Sequence, residues 1–96
     1  MKAELKEEFE RQAGWRDQKA EQFPNDARNA EAARLFRQLA DTVDSCSQEV
    51  VDAAWELFED APDVEEWQEM MRAVGFHHWP KSAEEFCRDF IARRTS

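Results

Sequence analysis

The chain has 96 residues, enough for one domain, and carries 22 acidic against 13 basic side chains, a net charge of −9. That sign opposes nucleic acids and anionic lipids, and excludes both as primary partners. Apolar residues make up 42%, with seven Phe and four Trp among them, which is too apolar for a disordered chain.

The first helix is expected over Ala3 to Gln22, with Leu5, Phe9, Ala13, Arg16, Ala20 and Phe23 on its inward face. Gly14 weakens it by up to ~1 kcal/mol relative to Ala. Phe23-Pro24 ends it, because the residue before proline is pushed out of the α region. Asn25 or Asp26 caps the second helix, since short polar side chains accept from free backbone N–H groups.

The next stretch has no proline or glycine through Glu59. Ala32, Phe36, Leu39, Ala40, Val43, Ser47, Val50, Ala54, Leu57 and Phe58 fall on one side of a helical wheel, at about 100° per residue. Asp41, Glu49, Asp52, Glu56 and Glu59 fall on the other. Ser45 with Gln48 is a capping-box pattern that would start a new helix. The apolar stripe nevertheless keeps its phase across Asp44 to Ser47, so the periodicity favours one long, bent central helix over about 26–60.

Pro62 cannot continue that helix and Asp63 caps the next one, with Val64, Trp67, Met70, Met71 and Val74 inward and Gly75 as its stop. A bulky loop, Phe76-His77-His78-Trp79-Pro80-Lys81, comes next. Ser82 and Glu85 then open the last helix, with Ala83, Phe86, Cys87, Phe90 and Ile91 inward. The fold class is therefore all-α: a single domain over 1–96, a bundle of four or five helices. Phe36, Leu39, Val43, Leu57, Phe58, Trp67, Phe86 and Phe90 should form its core.

Charge is uneven. Residues 1–48 sum to −2 and residues 49–96 to −7, with no Lys or Arg between Arg37 and Arg72. Asp52, Glu56 and Glu59 are like-charge neighbours at helical spacing, each pair costing a few tenths of a kcal/mol. A solvated face explains them without function, whereas a dock for a basic partner gives them one. Trp15 and Trp55 both lie about 110° off the apolar stripes of their helices. Either further helices cover them or they mark an interface, where Trp is enriched.

No nucleophile elbow, phosphate loop or His-Glu-x-x-His run is present, so no enzyme activity and no cofactor are expected. His77, His78 and Cys87 are a metal-ligand set by residue type but fit no standard spacing. The reading favoured over a metal site is a histidine that caps a helix end or packs on Trp79. The opening residues lead into acids rather than an apolar run, and no stretch is long enough for a membrane span. With two cysteines far apart, Cys46 and Cys87, the expectation is a cytoplasmic protein with free thiols. The leading functional reading is an acidic interaction or regulatory module without catalysis, monomeric or homodimeric, docking a protein partner through Asp52, Glu56, Glu59, Trp15 and Trp55. The alternative is a bundle binding a small ligand or metal through the His77-His78-Trp79 loop.

Overall fold

The computed structural model describes residues 1–61, 65–74 and 80–95. Among these residues lie five α-helices: α1 Lys2–Gln22, α2 Ala27–Thr42, α3 Gln48–Asp60, α4 Glu65–Ala73 and α5 Ala83–Thr95. No strand occurs among the described residues. The all-α bundle expected from periodicity is therefore the observed fold.

Helix α1 leaves the helical conformation at Phe23 (φ −128°, ψ 68°), immediately before Pro24. Asp26 then caps α2, its carboxylate accepting from Arg28 N at 3.0 Å. The Arg28 guanidinium also binds that carboxylate and holds its pKa down to about 2. The two helices lie side by side as a hairpin. Arg37 of α2 pairs with Asp17 of α1 across it.

The long central helix is not formed. Residues Val43–Ser45 tighten into a 3₁₀ turn, and Cys46 turns extended (φ −75°, ψ 153°) before α3 begins. The cause is tertiary. The Ser47 N–H donates to Glu84 Oε1 at 2.8 Å, and the Ala83 N–H donates to the Thr42 hydroxyl at 2.8 Å. The start of α5 thus supplies partners for backbone and side-chain groups at the break. These bonds compete with continuing the helix, because backbone groups must be satisfied somewhere.

The break rotates the inward face of α3. Val51, Ala54 and Trp55 are buried there, while the expected Val50, Leu57 and Phe58 are only half-buried. On α1 the inward face runs Leu5, Phe9, Ala13 and Arg16 as expected, but Ala20 is half-buried and Phe23 is 56% exposed. The chain has already left the helix at Phe23, so the wheel no longer places it. On α4 and α5 the expected inward residues that are described are buried, except the half-buried Ile91. Pro62, Asp63, Val64 and Gly75 lie outside the described residues. Ser82 caps α5 as the sequence indicates, accepting from Glu85 N at 3.2 Å.

An aromatic series crosses the core and touches every helix. Phe36 of α2 lies 6.4 Å from Phe9 of α1, centroid to centroid. Phe9 meets Phe86 of α5 edge-on at 5.1 Å, and Phe86 meets Trp67 of α4 edge-on at 5.2 Å. Trp67 reaches Phe58 of α3 at 4.5 Å, and Phe58 reaches Trp55 at 5.0 Å. Edge-on and tilted contacts put positive ring edges on negative faces, each worth about 0.5–1.5 kcal/mol beyond area burial.

Arg16 pins three helices. Its guanidinium donates to Asn29 Oδ1 of α2 at 3.3 Å, and to the carbonyls of Met71 (3.1 Å) and Arg72 (3.4 Å) near the end of α4. Those carbonyls sit at the negative pole of the helix, where a cation is favoured. Burial pulls the Arg16 pKa down from its usual value.

Candidate interaction site

The aromatic series ends at the surface, in a groove between α1 and α3. Glu4, Glu7, Glu8, Arg11, Trp55 and Phe58 line this cavity of about 490 Å3. Spacings of three and four residues put Glu4, Glu7, Glu8 and Arg11 on one face of α1. Trp55 and Phe58 share a face of α3 for the same reason, and their rings form the apolar floor.

The carboxylates around that floor differ in role. Glu8 is buried, accepting from the Arg11 guanidinium and from Gln12 Nε2 at 3.1 Å. It is committed to α1 itself. Glu4 and Glu7 are exposed at the rim. Glu4 accepts a charge-assisted bond from the N-terminal ammonium at 3.0 Å, which lowers its pKa. Glu59 accepts from the Trp55 indole N–H at 2.6 Å, joining floor to rim.

The expected site residues separate. Trp55 is only 9% exposed, because the rotation of α3 after the break turns it inward. Trp15 is exposed at 49%, with the Arg16 and Lys19 cations each 5.2 Å from its ring centroid. It lines a second cavity of about 310 Å3 with Arg11, Gln12, Arg16, Gln68, Met71 and Arg72. Asp52 is half-buried and accepts from Gln48 at 2.7 Å, while Glu56 and Glu59 are exposed. Among the described residues, Asp52, Glu56 and Glu59 form no ion pair: Arg88 binds Glu84 and Arg94 binds Glu66. Glu59 alone of the three contacts the groove floor.

Glu4, Glu7 and Phe58 were missed as site residues. The i, i+3, i+4 run of Glu4, Glu7 and Glu8 is legible in the sequence. That it faces Trp55 is a tertiary fact. His77, His78 and Trp79 lie outside the described residues. Cys87 is fully buried, and desolvation pushes its thiol up to about 12, with Cys46 and Glu84 adding to the shift. Among the described residues no three metal-ligating side chains gather. Neither does any helix there have the length and apolarity to cross a membrane.

No protein-family model, curated protein or solved structure matches this chain.

Proposed function

We propose that this domain is a non-catalytic protein-interaction module that docks a basic segment of a partner in the α1–α3 groove. One observation carries the reading: exposed carboxylates, Glu4 and Glu7, stand beside an aromatic floor whose indole N–H is tied to a third, Glu59. An arginine or lysine entering the groove meets negative charge for its head and ring surface for its methylene stem. The rim carboxylates are open to water, which suits charge recognition.

The strength follows from the charges. Each exposed ion pair contributes about 0.2–1 kcal/mol, so three give a transient association unless the floor adds apolar burial. Such binding weakens with salt, because exposed charges are screened beyond a Debye length of about 8 Å at physiological ionic strength. Cytoplasmic residence is part of the proposal, since Cys46 and Cys87 are both free thiols.

The test is paired charge reversal. Glu4→Lys with Glu7→Lys should abolish retention of an arginine-rich peptide and leave the melting temperature within a few degrees of the parent. Reversal of Asp52 and Glu56, which lie outside the groove lining, should weaken it only slightly. Equal loss from both pairs would move the dock to the outer face of α3 and refute the groove.

A further inference from the structure

The acidic groove and the Trp15 cavity have one side chain in common. Arg11 lines both, and its guanidinium lies over Glu8 between them. Glu4, Glu8, Arg11, Trp15 and Lys19 recur every three or four residues, so they follow one stripe down α1. Its charge changes sign along the way. The first end carries Glu4 and Glu7. The other carries Lys19 and, from α4, Arg72, and among the described residues no carboxylate lines the Trp15 cavity. This local excess of cations stands out on a chain of net charge −9. Between the charged ends, on either side of Arg11, lie two apolar floors, Trp55 with Phe58 and Trp15 with Met71.

Resting on the docking reading above, we propose that the two cavities form a single charge-polarised strip. Its occupant is one partner segment with a basic end, an apolar middle and an acidic end. The basic end lies over Glu4 and Glu7, and the acidic end over Lys19 and Arg72. Charge complementarity fixes this direction, because the reverse placement sets like charges together at both ends. Glu4 to Lys19 spans fifteen residues of helix, about 22 Å. That is the length of about seven residues of extended chain.

Three seven-residue synthetic peptides test the proposal by titration at low salt. The first has two lysines, three apolar residues and two glutamates, in that order. The second replaces the glutamates with glutamine, and the third replaces the lysines with glutamine. The first should bind about five- to tenfold more tightly than the second, the product of two exposed ion pairs. Lys19→Glu with Arg72→Glu should erase that advantage and leave the second peptide's affinity unchanged. The milder pair Lys19→Gln with Arg72→Gln should do the same, should the reversal disturb folding. Equal affinity for the first two peptides overturns the strip while sparing the acidic groove. Binding by neither, or binding of the first undiminished by Glu4→Lys with Glu7→Lys, overturns the groove and the strip with it. Sedimentation at the same concentrations reports a second copy of the chain lying on the strip, which also overturns the proposal.

Discussion

Two phenylalanines separate the packing account from a wheel drawn on the sequence. Phe86 is fully buried and meets Phe9 and Trp67 edge-on at 5.1 and 5.2 Å. Truncation to Ala removes both contacts and leaves a ring-sized cavity at the meeting point of α1, α4 and α5. Phe-to-Ala changes at such sites cost about 3–5 kcal/mol. At about 0.05–0.15 kcal/mol per residue the whole domain is worth roughly 5–14 kcal/mol, so the loss is a large share. In a domain of this size 1 kcal/mol moves the melting temperature by about 4–8 °C, so Phe86→Ala should lower it by more than about 12 °C. Phe23, which the wheel places inward, is 56% exposed. Phe23→Ala should therefore cost within about 0.5 kcal/mol, a few degrees at most. Thermal unfolding followed by far-ultraviolet circular dichroism measures both. A Phe86→Ala protein melting like the parent, or a Phe23→Ala protein as damaged as it, would refute the packing described here.

Other outcomes rest on the same contacts. Thr42→Val keeps the shape of the side chain but strands the Ala83 N–H, which should cost about 1–3 kcal/mol; Thr42→Ser should restore most of it, measured by denaturant midpoint. The folded protein holds the Cys87 proton up to about pH 12, whereas an unfolded thiol loses it near 9. That stabilisation is complete below pH 9 and is lost as pH rises from about 9 to about 12. The denaturant midpoint of the parent should fall across that window more steeply than that of Cys87→Ser, and equal slopes would contradict the burial of this thiol. If His77 and His78 hold no structural metal, a strong chelator should leave the melting temperature unchanged; a clear drop would mean that an ion contributes to folding.

Much of this fold is legible from local pattern, because helical burial repeats every three to four residues regardless of what lies opposite. Leu5, Phe9, Ala13 and Arg16 announce the inward face of α1, and Ala83, Phe86, Cys87 and Phe90 that of α5. The break between α2 and α3 is not legible in that way. It is stabilised by Glu84 and Ala83, about forty residues further along the chain than the groups they bind. Missing it carries the wheel's phase too far, which leaves Trp55 outside although it is buried, and puts Leu57 fully inside although it is half-buried at the edge of the core. The groove suffers from the same cause. Nothing in the spacing of Glu4 and Glu7 shows that α3 sets Trp55 and Phe58 beside them. Trp15 stands exposed where its offset from the α1 stripe puts it, since that offset is a property of one uninterrupted helix.

The docking claim is tested most directly by two-dimensional nitrogen–proton spectra of the labelled protein during titration with an arginine-rich peptide. The Trp55 indole N–H donates to Glu59 and reports from the groove itself. Its resonance should shift with the backbone signals of Glu4, Glu7 and Phe58, and the shifts should shrink as salt is raised. Shifts that gather on Asp52 and Glu56 while the Trp55 indole signal stays still, or no shift at low salt, would contradict the groove as the docking site.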